Sequence, residues 1–269
     1  MVVARQLREY IRVERPGHDG AILRPAAMGS TGPVGASWDA EYRRGRYAGE
    51  PPIAWVGTIL SMLQAEPALW GGRGLYVGCG NGRNYLPLVD AGATLDGIDL
   101  SKEAITQLVR RRPDVADRLW VGDFRTQRLT ERFAYLVAIQ VFQHGDGATL
   151  SAAFAQAAVL LQPGGLLFVR VNSVATQIYH RHTVVELDRL GGFTIRYDDG
   201  PKAGLLIHFA SREDLLARAG AVFEIVREPQ EVVMQRQAPK TGTWAQWQAV
   251  WRRRAPVVDQ PAVSTDIAG

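Results

Sequence analysis

The feature that most constrains the fold is a short apolar run that passes into a glycine-rich turn. Residues 75–77 predict a buried strand, and Gly78, Gly80 and Gly82 follow before a predicted helix that begins near Arg83. Residues without a Cβ let a ligand approach the backbone closely. The N–H groups of the turn and of the helix start can meet its polar or anionic groups. The segment therefore predicts a ligand-binding turn at the end of a strand.

The glycine spacing argues against two related nucleotide-binding motifs. In the dinucleotide pattern G-x-G-x-x-G the third glycine stands one residue later than Gly82 does here. The phosphate-binding loop of nucleotide hydrolases needs a Gly-Lys-Ser/Thr sequence, which does not follow. The spacing and the lack of a Tyr-x-x-x-Lys pair make an NAD(P)-dependent oxidoreductase the less favoured alternative.

Two acidic residues follow the next two predicted strands. The strand at 94–98 runs into Asp99, whose carboxylate can accept hydrogen bonds from both hydroxyls of a ribose. Asp123 follows the third strand and can accept from an adenine amino group, while Phe124 lies against the base. Two structural alternatives stay open: Asp99 caps the helix that starts near Ser101, and Asp123 is a turn residue.

Strands and helices alternate from residue 74 to residue 171. Apolar runs that predict strands lie at 119–121, 133–139 and 166–171, and helices are predicted at 101–112 and 150–161. This alternation predicts a doubly wound α/β domain with a mostly parallel sheet. The final segments, 222–233 and 244–251, predict an antiparallel pair.

The remaining segments divide the chain into three parts. We predict an N-terminal extension over 1–37, with a short helix at 1–15 and a linker at 16–37, and a tail over 255–269 that is disordered. The main domain spans 38–254. Within it, residues 172–210 are too long for a plain loop, so they carry either a function or elements of their own.

Composition excludes several classes of protein. The only cysteine is Cys79, so neither a disulfide framework nor a cysteine-based zinc site forms within one chain. The formal net charge of +4 gives no evidence of a nucleic-acid partner. We find no apolar stretch of membrane-spanning length and no signal peptide, which favours a cytoplasmic location.

The ordered motifs resemble the class I methyltransferases that use S-adenosylmethionine (SAM). The resemblance runs from about residue 75 to residue 171, and it implies a seven-stranded sheet with a reversed last strand and SAM as cofactor. It implies that the turn surrounds the methionine part of SAM, with Asp99 and Leu100 at the ribose and Asp123 and Phe124 at the adenine. Ile139 and Gln140 would contact the amino-acid end. The turn residues are Gly78, Cys79, Gly80, Asn81, Gly82 and Asn84.

A segment rich in aromatic and arginine residues precedes the first strand. It resembles the helical lid of methyltransferases that act on small acceptors, and loosely the N-terminal segment of the thiopurine and tellurite-resistance branches. Aromatic faces there can favour the positive sulfur of SAM. We expect Tyr42 and Tyr47 to contact the cofactor, whereas Trp38 belongs either to the lid or to the packing of the sheet edge.

Three residues are candidates for catalysis. His144 follows the fourth strand and is the first candidate for a general base, with a hydrogen-bonding or capping role as the equal alternative. His208 lies in an apolar run and would act only if it faced the pocket. Tyr179, with His180 and His182, falls in the 172–210 stretch and would line the acceptor site. No metal-ligand spacing is present, so we predict no metal.

These predictions combine into one function, and one alternative stays open besides the less favoured oxidoreductase. Extra material at 172–210 and at the N-terminus predicts a small organic acceptor, as in specialised metabolism. Residues 139–142 replace the Asp/Asn-Pro-Pro-Tyr/Phe tetrapeptide used on extruded bases, which argues against nucleic-acid methylation. A SAM-binding protein without catalysis, serving as a regulator or partner, is the alternative. The acceptor atom and the oligomeric state are left open.

Overall fold

The structure is a computed structural model that describes residues 32–127 and 129–255. Within these residues the helices are α1 (Gly32–Arg43), α2 (Trp55–Gln64), α3 (Pro67–Trp70), α4 (Leu86–Asp90), α5 (Lys102–Arg111), α6 (Gly147–Leu160) and α7 (Arg212–Ala219). The strands are β1 (Gly74–Val77), β2 (Leu95–Asp99), β3 (Leu119–Val121), β4 (Phe133–Ile139), β5 (Leu161–Asn172), β6 (His182–Leu187), β7 (Phe193–Tyr197), β8 (Leu206–Phe209), β9 (Phe223–Gln235) and β10 (Thr243–Arg253). Short 3₁₀ helices lie at Pro113–Arg118 and Gly220–Val222.

The main sheet has seven strands in the order β3-β2-β1-β4-β5-β10-β9. Strands β1 to β5 pair in parallel, whereas β10 runs antiparallel to both β5 and β9. The sequence-based prediction of a mostly parallel sheet with a reversed last strand is confirmed. The strand order reverses between β1 and β4, which places a crevice beyond their carboxyl ends, the usual ligand site of such sheets.

Helices cover both faces of this sheet. Every residue of β1 and β4 is buried, as expected of central parallel strands with helices above and below. On one face, Phe154 of α6 and Leu215 of α7 join the core. On the other face, Ile59 of α2 and Leu108 of α5 do so. No helix in the described part of the chain combines the length and apolar character needed to cross a membrane.

The stretch at 172–210 carries elements of its own, a three-stranded antiparallel sheet in the order β6-β7-β8. Its last strand attaches to the loop after β4. The His208 N–H donates to the Gln143 carbonyl at 2.9 Å, and the Gly145 N–H donates to the Leu206 carbonyl at 3.0 Å. The small sheet is therefore fixed beside the carboxyl ends of the central strands.

Two predicted boundaries are wrong. The helix expected near Arg83 begins at Leu86, with Pro87 in its first turn, where a missing N–H costs no helical hydrogen bond. The linker expected up to residue 37 ends earlier, because α1 already begins at Gly32. The contacts of α1 with α5 described below outweigh its Gly- and Pro-containing composition. The predicted helix at 1–15 and nearly all of the predicted tail lie outside the described residues.

Candidate functional site

The glycine-rich turn leaves the carboxyl end of β1 and forms the floor of the main pocket. Gly78 and Gly80 have left-handed φ angles of 69° and 56°. A Cβ on Gly80 would collide with the Tyr42 hydroxyl, so this position requires glycine. Gly82 does not line the pocket, because a side chain there would meet Leu108 and Leu86 in the protein interior. A cofactor contact of Gly82 therefore stays a prediction that the lining of the pocket does not support.

Asp99 connects this turn to the start of α5. Its Oδ2 accepts the Gly80 N–H at 2.8 Å, and its Oδ1 accepts the Ser101 N–H at 2.8 Å. The carboxylate therefore has the capping role considered above and also lines the pocket. Burial raises the pKa of Asp99 to about 6, although both N–H donors lower it, and Asp39 raises it further.

The raised pKa of Asp99 predicts a pH dependence of cofactor binding. If ribose hydroxyls donate to the ionised carboxylate, as the sequence predicts, binding favours deprotonated Asp99 and is lost as the pH falls through about 6. We expect the affinity for S-adenosylhomocysteine (SAH) to fall about tenfold between pH 7 and pH 5. Calorimetric titration at several pH values measures this. A wild-type affinity that stays flat while the protein remains folded would contradict the assignment of Asp99 to the ribose.

Asp123 and Phe124 form the wall at the end of β3. Asp123 accepts the Arg125 backbone N–H and its Nε–H, both at 2.9 Å. Burial raises the pKa of Asp123, but the hydrogen bonds from Arg125 outweigh it and hold the pKa below its usual value. Phe124 stacks on Phe142 with ring centroids 5.4 Å apart. Sequence reasoning missed Arg125, whose only signal was its place two residues after Asp123.

Trp38, Tyr42 and Tyr47, which we call the aromatic roof, come from α1 and the loop after it. Asp39 fixes α1 to the start of α5, because its Oδ1 accepts the Ser101 hydroxyl at 2.6 Å and the Glu103 N–H at 3.0 Å. All three aromatic side chains line the pocket. The prediction for Tyr42 and Tyr47 as lid residues therefore has the required geometry, and Trp38 belongs to the lid as well.

The other predicted turn residues line the pocket in different ways. The Asn81 amide donates to the Arg46 carbonyl at 3.2 Å, and Asn84 accepts the Ile53 N–H at 3.0 Å. Both residues thus bind the turn to the segment after α1. The Cys79 thiol packs against Gly97 in β2, and burial raises its pKa far above the usual value. Leu100, Ile139 and Gln140 complete the lining predicted from the sequence.

His144 lines the pocket between the fourth strand and the aromatic roof. Its Nε2 lies 3.1 Å from the Gln140 carbonyl, so this nitrogen carries the proton and donates. Its Nδ1 is buried without a hydrogen-bond partner in the described residues, and Trp38 meets the ring edge-on at 5.2 Å. Burial lowers the pKa of His144 to about 3, and the nearby Lys202 lowers it further. His144 is thus a neutral ring at pH 7, and its lowered pKa makes it a weaker base than an ordinary histidine.

This state of His144 is directly testable. We expect its imidazole to stay neutral, with the proton on Nε2, as the pH falls from 8 to 5, because protonation would place an uncompensated charge beside Lys202 and Arg125. Long-range ¹H–¹⁵N NMR of the histidine rings measures the tautomer, and the variant His144→Asn assigns the signal. A titration midpoint near 6.5 would contradict the geometry described here.

The other two catalytic candidates lie away from the pocket. His208 is buried in the small sheet, where Thr194 Oγ1 lies 2.9 Å from its Nδ1 and Asp214 Oδ2 lies 2.7 Å from its Nε2. Tyr179 is 45% exposed and packs on His180, and neither residue lines the pocket. Both predictions of a catalytic role are wrong for this geometry, because apolar patterning and chain position do not show which way a side chain points.

Comparisons with known proteins agree with this architecture. Residues 75–165 match a family model described as a methyltransferase domain. No curated protein matches the chain in sequence. Among solved structures, the 1,6-didemethyltoxoflavin-N1-methyltransferase of Burkholderia thailandensis is 18% identical, with a TM-score of 0.58 over 92% of this chain and 99% of that one. The magnesium protoporphyrin IX methyltransferase of Synechocystis PCC 6803 is 16% identical, with a TM-score of 0.57 over 86% and 100%. The CcbJ methyltransferase of Streptomyces caelestis is 20% identical, with a TM-score of 0.52 over 77% and 92%.

At these identities the solved structures establish a common fold. The chain has the class I methyltransferase fold, and its residues 75–165 are similar to a methyltransferase domain. The fold predicted for a SAM-dependent methyltransferase is confirmed, and the match to the family model covers residues 75–165 of it.

Proposed function

We propose that the main pocket binds SAM and that the protein transfers its methyl group to a small organic acceptor. The observation that carries this proposal is the meeting of three features around one pocket: the glycine-rich turn, the half-buried Asp99 carboxylate and the aromatic roof. Gly80 suits a turn that lies close beneath a bound cofactor, since a Cβ there would fill space that Tyr42 occupies. Asp99 suits a ribose, since a half-buried carboxylate with a raised pKa gains from hydroxyl donors.

Different lining residues contact different parts of the cofactor. Asp99 accepts from the ribose, Asp123 and Phe124 address the adenine, and the turn from Gly78 to Asn84, without Gly82, faces the methionine part. Ile139 and Gln140 close its amino-acid end. Gln140 suits this place because its φ of 61° turns its backbone sharply, while its side chain donates to Gln246 at 2.9 Å.

SAM supplies an electrophilic methyl group, and the protein's own task is to position the acceptor and exclude water. The aromatic roof does both, because its three rings cover the pocket and present faces that favour a positive sulfur. Trp38 meets the His144 ring edge-on, and the lowered pKa of His144 makes it a weak base. An acceptor atom that needs no deprotonation suits this site best.

A small acceptor fits the pocket between the aromatic roof and the glycine-rich turn. The solved structure from Burkholderia thailandensis contains 1,6-didemethyltoxoflavin and SAH, so a small heterocycle is the acceptor of one protein with this fold. We extend that class of acceptor to this chain. A cytoplasmic location and the lack of a nucleic-acid partner stay predictions from the sequence.

Calorimetry with SAH and NAD tests the proposed cofactor. We expect SAH to bind with one site per chain and NAD to show no binding, because Gly82 stands one residue too early for a pyrophosphate-binding turn. The variant Asp117→Ala should bind SAH as the wild type does, since Asp117 is an exposed carboxylate of the 3₁₀ helix after α5, and it serves as a control for the loss of one surface charge. Preference for NAD, or no binding of SAH to folded protein, would overturn the proposal.

A further inference from the structure

The turn between β7 and β8 reaches across to α1 and touches the aromatic roof. The Ser37 hydroxyl lies 3.5 Å from the Pro201 carbonyl, and Lys202 Nζ lies 4.7 Å from the centre of the Trp38 ring. Trp38 itself lines the pocket beside His144. Lys202 does not itself line the pocket, but it contacts Trp38, which does, so the small sheet brings one lysine next to the roof of the pocket.

This turn is internally braced, so it holds Lys202 in a defined place. The Leu205 N–H donates to the Lys202 carbonyl at 3.0 Å, and the Gly204 N–H donates to the Tyr197 carbonyl at 2.7 Å. At the base of the turn, Asp199 accepts the Arg181 Nε–H at 2.9 Å. Gly200 packs directly on the His180 ring, where a Cβ would approach to 2.7 Å.

Lys202 is a cation without a balancing anion. In residues 32–127 and 129–255 no carboxylate lies within ion-pair distance of its Nζ, and its recorded contact is the Trp38 ring. Glu41 is the acidic neighbour, but it pairs with Arg44 at 2.8 Å. Arg46 and Lys240 add positive charge, and burial, the larger effect, lowers the pKa of Lys202 to about 8. A half-buried cation with cationic neighbours is stabilised by an anion.

We infer that Lys202 binds an anionic group, a carboxylate, carried by the methyl acceptor. The inference rests on the proposed function, because it places the acceptor between Lys202 and the sulfonium of SAM. An anion there is attracted from both sides, while the neutral His144 adds no repulsion. Trp38 offers an apolar face for the body of the same molecule, which favours a small aromatic or conjugated acid.

The chain offers a direct test, since Lys102, Lys202 and Lys240 are its only lysines. Protein labelled with ¹³C and ¹⁵N at the lysine side chains gives three ammonium signals, which single Lys→Arg variants assign. SAH-loaded protein is titrated with benzoate and, separately, with benzamide, its neutral counterpart of similar shape. We expect benzoate to shift the Lys202 signal saturably and benzamide to leave it in place.

Binding of benzoate to variants then separates the effect of the positive charge at position 202 from the effect of side-chain shape. Lys202→Met should weaken benzoate at least about tenfold, the effect of losing a charged hydrogen bond, whereas Lys202→Arg should retain most of the affinity. Lys102→Met removes the same charge from an exposed position on α5 and should leave benzoate binding unchanged. A parallel titration with inorganic phosphate separates a carboxylate site from a general oxyanion site, and stronger binding of phosphate would overturn the carboxylate assignment.

Three results contradict the inference: no shift with benzoate, equal shifts of all three lysines, or an equal response to benzamide. Calorimetry first establishes that the same sample binds SAH. A sample that binds SAH but fails the benzoate titration refutes the role of Lys202 alone. A sample that does not bind SAH refutes the proposed function instead.

Discussion

Replacing Asp99 by Ala is expected to weaken SAH binding about tenfold to a hundredfold. The carboxylate lines the pocket at the end of β2, and it also holds the Gly80 N–H in place. Its loss leaves ribose hydroxyls without an acceptor and frees the backbone of the turn. Unpaired polar groups of this kind cost about 1–3 kcal/mol, which corresponds to that range of affinity. Calorimetric titration of both proteins at pH 7.5 measures the change.

Two control variants make the Asp99 result specific. Asp99→Asn keeps one carbonyl acceptor and should lose less affinity than Asp99→Ala. Asp117→Ala, an exposed carboxylate without a recorded contact, should bind SAH as the wild type does. Circular dichroism checks that each variant is folded. Wild-type affinity in folded Asp99→Ala would remove Asp99 from the cofactor site.

Replacing Asp214 by Ala is expected to lower the free energy of unfolding by about 3–5 kcal/mol. Asp214 is 1% exposed, and its carboxylate meets His208 Nε2 at 2.7 Å and Arg218 Nη2 at 2.6 Å. Thr194 and Glu186 continue the same buried network on the small sheet. Removing the carboxylate leaves the partly buried Arg218 guanidinium without one of its two acidic partners and His208 without its acceptor. Urea unfolding followed by tryptophan fluorescence measures the loss.

The neighbouring Glu213→Ala is the matched control, because Glu213 is exposed on the same turn of α7 and should change stability by less than about 0.5 kcal/mol. Burial raises the pKa of Asp214, but the hydrogen bonds from His208 and Arg218 outweigh it and hold the pKa below 3.8. This carboxylate therefore stabilises the fold above pH 3.8, and the difference between wild type and Asp214→Ala should shrink as the pH falls further. Equal stability of both variants at pH 7 would contradict a structural role for the network.

Much of the fold was predictable because its strands are buried on both faces. The strand Phe133–Ile139 was predicted with its observed bounds, since seven consecutive buried residues leave a continuous apolar run. The helix was predicted to start near Ser101, and Ser101 is its N-cap, because the Ser101 hydroxyl accepts the Ala104 N–H. The glycine turn and Asp99 were also placed correctly in one pocket, because their chemistry depends on the ends of neighbouring parallel strands.

The rest depended on contacts between distant parts of the chain. The helix that starts at Gly32 is fixed in place because its own Asp39 accepts the Glu103 N–H of α5, more than sixty positions away. Nothing in the local sequence indicates this contact. Sequence reasoning named both His144 and His208 as catalytic candidates. His144 lines the pocket, whereas His208 lies in a buried polar network. Lys202 reaches the aromatic roof only because β7 and β8 form a hairpin over α1. Side-chain direction in these cases follows from tertiary packing, which periodicity does not encode.

The most direct test of the central claim is a crystal structure of the protein with SAH. The account predicts the ribose hydroxyls within hydrogen-bond distance of Asp99, the adenine beside Asp123 and Phe124, and the sulfur beneath the aromatic roof. SAH bound elsewhere on the protein, or in this pocket with its ribose away from Asp99, would contradict the account.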